Sequence, residues 1–187
     1  MKKWKIIRSE YLYKTPFGNL RKDCCKLPSG GILDTYYVNE YTDWVNAVVI
    51  TKENQIVLVE QYRHPGQDIY LEIPAGKIEV NESYEEGILR EVREETGFTS
   101  KTKPILLGEF MVNPATQDNK VVSYLILDAY QVFDQELDVG EDVMVKLINF
   151  DQIEGMIKQQ KITQLFTVSA YYMVKDYLHN KISKSYL

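Results

Sequence analysis

The sequence predicts an α+β protein, α/β in the broad sense, with a small antiparallel β-sheet ahead of a larger domain. Three observations carry this. A run with helical periodicity, 83–97, lies between turn signals. Strand-length runs rich in Val, Ile, Leu and Tyr stand on both sides of it. Two turn clusters, Pro16-Phe17-Gly18-Asn19 and Pro28-Ser29-Gly30-Gly31, cut residues 1–40 into short strands.

Taken in order, 32–38 is rich in Tyr, Thr and aliphatics and completes that first sheet. It is too small to hold a large core alone, and packs on the body of the protein or on a second copy. The run 44–51 is continuously apolar, as in a strand buried on both faces. Lys52-Glu53-Asn54 is a turn, and 55–62 is the returning strand. A loop follows over 63–68, and 70–75 leads into the helix. Ser83 with Glu86 forms a capping-box pattern at the helix start, and Gly97 stands where a C-terminal glycine belongs. Tyr84, Ile88 and Val92, widened by Leu89, make its apolar stripe. Strands are expected over 103–110, 121–130 and 143–150, with a polar loop at 111–120. The acidic stretch 134–142 reads as a solvated loop or, as the alternative, a regulatory cation site. Asp151 and Glu154 repeat a capping signature for a short helix to 159. A longer amphipathic helix, 163–179, closes the chain with Phe166, Ala170, Met173 and Tyr177 on one side.

The composition bounds the function. A chain of 187 residues with 44% apolar residues suits one medium domain with an appendage and a real core. The net charge is −5, and no Lys/Arg block stands out beyond Lys2-Lys3, so a nucleic-acid footprint is lacking. An anionic substrate is still admissible where a metal ion supplies the positive charge. The N-terminus has no apolar signal region, and no run approaches the roughly 20 apolar residues of a membrane span. Cys24 and Cys25 are neighbours, expected on opposite sides of a strand as reduced thiols of a cytoplasmic protein.

The helix carries the chemistry. Glu91, Glu94 and Glu95 crowd one arc of its last turn. Like charges at that spacing repel, and the C-terminal end of the helix dipole disfavours anions. A bound divalent cation removes both penalties, and carboxylate oxygens are what hard cations such as Mg²⁺ prefer. Gly87 lowers helix propensity by roughly 1 kcal/mol against Ala. On the helical wheel it lies between Glu91 and Glu94, and its missing side chain is expected to leave room for metal and phosphate.

The spacing is specific. Gly76, five residues, Glu82, seven residues, Arg90-Glu91, an aliphatic, one residue, Glu94-Glu95, one residue, Gly97 and an apolar residue resembles the Nudix box with every defined position filled. The resemblance implies the Nudix fold, a mixed β-sheet sandwiched between helices. It also implies hydrolysis of a nucleoside diphosphate linked to another moiety, with Mg²⁺ or Mn²⁺. Arg90, Gly87 and Gly97 are then structural members of the motif, with Arg90 orienting the glutamates. Glu91, Glu95 and Glu94 are metal ligands, with the Ala75 or Gly76 backbone and Glu82 as further candidates.

The flanks resemble the ADP-ribose pyrophosphatase branch of the family: Gln61-Tyr62-Arg63, Leu71-Glu72-Ile73-Pro74-Ala75-Gly76, and Pro114 sixteen residues past Phe98. That branch implies a homodimer whose N-terminal sheet region, 1–40, helps build the substrate site beside the Nudix domain, 41–187. Arg63 is a candidate phosphate ligand or a salt-bridge residue. Glu72 contacts a sugar or base, or pairs with a basic neighbour. Trp44 stacks on a base or packs in the core. The loop after Pro114 has no glutamate, where many relatives carry one, and Asp118 is its one carboxylate. Asp118 or a motif glutamate is therefore the candidate base. The implied reaction is attack of water on a diphosphate, with ADP-ribose giving AMP and ribose 5-phosphate. GDP-mannose or another nucleotide sugar is the alternative substrate, and a non-catalytic nucleotide-sugar sensor the alternative class.

Overall fold

The computed structural model describes residues 1–137, 140 and 142–184, with the side chains of 181–184 excepted. The chain divides into two compact units. The first comprises 1–43 and 110–121, the second 44–109 and 122 onward.

The first unit is built on three antiparallel strands in the order β1 (Lys5–Thr15), β2 (Gly18–Lys26), β3 (Ile32–Glu40). The Thr15 hydroxyl donates to the Gly18 carbonyl at 2.8 Å and closes the first turn. Along β1 the residues are exposed almost throughout, among them Ile6, Ile7, Tyr11, Leu12 and Tyr13. Inside the sheet Asp23 is buried and accepts from Arg21 at 2.9 Å and from Ser9 at 2.7 Å. Burial pushes the Asp23 carboxyl up, but Arg21 and Ser9 outweigh it and hold it below the usual range. Cys25 is buried, Cys24 half-buried, and both are free thiols.

The end of β3 also holds the loop that follows residue 111. Asn39 N–H donates to the Thr116 carbonyl at 2.8 Å, and Tyr36 Oη donates to the Ala115 carbonyl at 2.7 Å. Lys120 N–H donates to Asp43 Oδ1 at 2.8 Å. These bonds give a proline-containing loop a fixed path.

The second unit is a sheet covered on both faces. Its strands are β4 (Trp44–Thr51), β5 (Gln55–Arg63), β6 (Asp68–Glu72), β7 (Ala75–Lys77), β8 (Phe98–Thr99), β9 (Ile105–Met111), β10 (Lys120–Gln131) and β11 (Val143–Asn149). The main path runs β11-β5-β4-β10-β8, with β6 on β5, β7 on β4 and β9 on β10. The helices are α1 (Tyr84–Thr96), α2 (Phe150–Lys158) and α3 (Leu165–Lys184).

Strand alternation sorts the core. Val45, Ala47 and Val49 of β4 pack with Ile88 and Val92 of α1 and with Val122 and Ile126 of β10. Val48 and Ile50, on the opposite face, pack with Ile153 of α2 and with Ala170, Tyr171 and Val174 of α3. Residues one apart in a strand point to opposite faces, so a continuous apolar run feeds two layers. Each fully buried aliphatic side chain is worth about 1.5–3 kcal/mol. The sheet between helices that the resemblance implied is thus present.

Two local expectations differ. The segment expected as a loop and lead-in contains a strand, β6, paired antiparallel with β5 from Arg63↔Asp68 to Val59↔Glu72. The short helix α2 is capped by Asn149, whose side chain accepts from Asp151 N–H at 3.0 Å, and not by Asp151. Glu154 instead serves Lys175 and Lys158 at the surface, which lower its carboxyl to about 2.

Candidate active site

Helix α1 is fixed at both ends by its own sequence. Ser83 Oγ accepts from Glu86 N–H at 3.2 Å, and Glu86 Oε2 accepts from Ser83 N–H at 2.9 Å, closing the capping box. Such caps are worth about 1 kcal/mol. At the other end Gly97 adopts φ 71°, and its N–H donates to the Arg93 carbonyl at 2.8 Å. A β-carbon at Gly97 would also overlap the Phe133 carbonyl, so glycine is required twice over.

Along the polar side of α1, Arg90 is the organiser. Its Nε and Nη2 donate to the two oxygens of Glu82 at 2.8 and 3.0 Å. Nη1 donates to Glu91 at 2.9 Å and to Glu94 at 3.1 Å, and Nη2 also donates to the Lys77 carbonyl at 2.9 Å. The guanidinium fork thereby ties three carboxylates and the β7 backbone to one point. These partners, Glu82 foremost, raise the Arg90 pKa against its partial burial. The Arg90 side-chain bond likewise lowers the Glu82 carboxyl, against burial. Arg93 adds a further cation beside Glu94, with Nη2 donating at 3.3 Å.

Glu95 lies on the buried side, 5% exposed. Its Oε2 accepts from Ala75 N–H at 3.0 Å, so β7 and the last turn of α1 are joined directly. Gly76 follows, and a β-carbon there would overlap the Glu91 carboxylate. The structure therefore brings Ala75, Gly76, Glu82, Arg90, Glu91, Glu94 and Glu95 together. Glu82, expected as a further candidate ligand, engages both its oxygens with Arg90, and Oε2 also with Glu79 N–H at 2.9 Å. It acts here as the anchor of Arg90. The space beside Gly87, expected to admit metal and phosphate, is bordered by Glu82 and Ile78: a β-carbon would stand 3.0 Å from Glu82 Oε2 and 3.3 Å from Ile78 Cγ2.

Arg63 and Glu72 pair with each other. Nε donates to both Glu72 oxygens at 3.2 Å and Nη2 donates to Oε2 at 2.7 Å, with Glu72 buried and Arg63 partly exposed. The Trp44 ring meets Phe166 edge-on at 6.1 Å, and its Nε1 is buried without a hydrogen-bond partner. Asp118 is an exposed residue of the 113–119 loop, in the first unit, its N–H donating to the Asn39 carbonyl at 3.3 Å.

Contacts that sequence reasoning missed lie at the end of α1. Glu136 N–H donates to the Glu94 carbonyl at 2.9 Å, and Gln135 Nε2 to the Glu95 carbonyl at 2.6 Å. No motif marks either residue. Part of the acidic stretch thus holds the helix, while Asp138 and Glu141, counted in that stretch, lie outside the described residues.

The donor set suits a hard cation, being carboxylate oxygens beside a backbone strand. As it stands, Arg90 is bonded to Glu82, Glu91 and Glu94 together. Among the described residues no three acidic, His or Cys side chains are already gathered as a metal cluster. Gly76 and the Glu95–Ala75 bond nevertheless place two of the glutamates hard against β7.

Comparison with known proteins decides the family. The family described as "NUDIX domain" matches residues 41–166. The chain belongs to the Nudix family. A second family, "Nucleoside diphosphate sugar hydrolase N-terminal domain", matches residues 4–39 of this Nudix protein. The chain is 31% identical over 181 residues to the methanol dehydrogenase activator of Bacillus methanolicus, covering 95% of this chain and 96% of that one. It is 28% identical to the ADP-ribose pyrophosphatase of Bacillus subtilis strain 168, over 91% and 90% of the two chains. A crystal structure described as an ADP compounds hydrolase superposes with a TM-score of 0.85 over 97% of both chains, at 19% identity, a likeness of fold. The chain is a Nudix hydrolase whose relatives include ADP-ribose pyrophosphatases. Hydrolases of this family use divalent metal ions. Among the described residues no helix is long and apolar enough to cross a membrane.

Proposed function

We propose that this Nudix hydrolase cleaves the diphosphate bond of a nucleoside diphosphate sugar, ADP-ribose first, giving AMP and ribose 5-phosphate. The observation that carries the reading is that Arg90 bonds both Glu91 and Glu94 while Glu91 stands against Gly76 and Glu95 is bonded to Ala75 N–H. Similarity to the ADP-ribose pyrophosphatase of Bacillus subtilis supports the substrate class.

The roles follow from the chemistry of each group. Glu91, Glu94 and Glu95, with the Ala75 backbone, hold a divalent cation, Mg²⁺ by preference and Mn²⁺ as its substitute. A cation held there lowers the pKa of a water and neutralises charge on diphosphate oxygens. Arg90, anchored by Glu82, keeps the glutamates in register. Arg63, held by Glu72, presents a guanidinium to a phosphate. Trp44 offers a ring for stacking on the base. One of the motif glutamates takes the proton of the attacking water.

A homodimer through the N-terminal sheet is part of the same proposal. The exposed Ile6, Ile7, Tyr11, Leu12 and Tyr13 along β1 support it, since so many neighbouring apolar side chains on one strand favour cover. The two free thiols support a reducing, cytoplasmic setting.

One assay tests this: purified protein with Mg²⁺ against ADP-ribose, GDP-mannose, other sugar nucleotides and dinucleoside polyphosphates. Preferred turnover of ADP-ribose is expected. Preference for GDP-mannose moves the substrate, and tight binding without turnover of any compound makes the chain a sensor. Similarity to the methanol dehydrogenase activator favours a second reading, in which the chain activates a dehydrogenase. Adding it to a methanol dehydrogenase assay, with and without the Glu95→Gln variant, separates activation that needs hydrolysis from activation that does not.

A further inference from the structure

The last turn of α1 ends in carbonyls that no residue of the helix can satisfy. Here three of them find a donor. Gly97 N–H takes the Arg93 carbonyl at 2.8 Å, and Glu136 N–H takes that of Glu94 at 2.9 Å. Gln135 Nε2 takes that of Glu95 at 2.6 Å. The same Nε2 also donates to the Val143 carbonyl at 3.1 Å, at the start of β11. One amide group thus uses both hydrogens to bridge the helix end to the sheet. Val132 and Phe133 N–H both donate to the Gly97 carbonyl at 3.1 Å, so the 132–136 strap lies flat across the end of the helix. A β-carbon at Gly97 would overlap the Phe133 carbonyl, which shows how closely the strap passes.

We infer that Gln135 is a positioning residue for the carboxylates of α1: by bridging the Glu95 and Val143 carbonyls it fixes the turn on which Glu94 and Glu95 stand. This rests on the cation site proposed above. Its physical basis is twofold. A last turn with unpaired carbonyls frays, and fraying moves Glu94 and Glu95 off the bearing that brings Glu95 to Ala75 N–H. The amide N–H groups also offset the negative end of the helix dipole next to three anions. The Gln135 amide donates to backbone carbonyls, those of Glu95 and Val143, so its effect runs through the helix backbone.

The test uses Mn²⁺ alone as probe, in the full-length protein, read by electron paramagnetic resonance without substrate. Gln135→Met keeps the shape and removes both donors. Its Mn²⁺ dissociation constant is expected to rise roughly tenfold, the scale of residues that orient metal ligands. With ADP-ribose and saturating Mg²⁺, KM is expected to hold. Unchanged Mn²⁺ affinity in folded Gln135→Met, even with a lower melting temperature, overturns the inference and leaves Gln135 merely structural. If Gln135→Met fails to fold, Gln135→Asn takes its place, because the shorter amide does not span both carbonyls. Glu95→Gln runs alongside. If it binds Mn²⁺ as the parent does, the cation site itself is wrong. If it loses Mn²⁺ while the Gln135 variants do not, only the positioning role falls.

Discussion

Gly76 and Glu91 approach so closely that nothing larger than hydrogen fits on the Gly76 α-carbon: a β-carbon there would overlap the Glu91 carboxylate. The obstacle is the far end of a flexible side chain, not backbone. Gly76→Ala is therefore expected to fold, with the Glu91 carboxylate swung away from β7. Thermal unfolding in EDTA should move by only a few degrees, the scale of about 1 kcal/mol. Mg²⁺-dependent hydrolysis of ADP-ribose should fall by more than about tenfold. Parental turnover in a folded Gly76→Ala protein would remove Glu91 from the proposed cation site.

Arg90 supplies a second test, of charge organisation. It bonds Glu82, Glu91, Glu94 and the Lys77 carbonyl through a planar fork that Lys does not reproduce. Arg90→Lys is expected to lose about 2 kcal/mol in urea denaturation, because several charge-assisted bonds go at once. Turnover should fall further than stability, since Glu91 and Glu94 lose their shared donor. Arg90→Lys with parental turnover would confine Arg90 to the fold.

The Arg90 network also sets a pH dependence. The side-chain bond from Arg90 holds the Glu82 carboxyl below the usual carboxylate range. A lowered folded-state pKa means that the stabilisation is complete above the unfolded value, about 4.3 for a glutamate. It is lost as pH falls through the lower folded-state value. Melting temperatures from pH 7 to pH 3 should show Glu82→Gln less stable than the parent at neutral pH. The gap should narrow below about pH 4, as the parental carboxylate takes up its proton. A gap that stays constant with pH would mean that packing, not charge, is what Glu82 contributes.

Much of this site is legible in the chain because its determinants are local. Ser83, Glu86 and Gly97 fix the ends of α1 through bonds three or four residues long, and the spacing of Ile88 and Val92 fixes its buried face. The alternation of β4 declares two core layers without any knowledge of its partners. Where two local rules competed, the backbone decided: Asn149 and Asp151 both suit a helix cap, and Asn149 took the place. Arg63 and Glu72 stand nine residues apart and read equally as ligands or as a pair; in the β5–β6 register Arg63 faces Asp68 and Glu72 faces Val59, and only the reach of the side chains joins the two. Gln135 was illegible, because its bond to the Glu95 carbonyl spans 40 residues and glutamine in an acidic loop carries no pattern.

The Arg63–Glu72 pair gives the last test. Glu72 is buried, whereas the Arg63 side chain is 41% exposed, so solvent screens the pair and its direct worth is modest. Glu72→Gln keeps the shape and removes the charge, at an expected loss of about 1 kcal/mol. Its larger effect should be functional. A guanidinium released from a bidentate partner gains freedom, and presenting it to a phosphate then costs the entropy that Glu72 had removed. The KM for ADP-ribose should rise severalfold in Glu72→Gln with kcat little changed, and Arg63→Lys should raise it at least as much. If Arg63→Lys leaves KM where it was, Arg63 is a structural partner of Glu72 and the phosphate is held elsewhere.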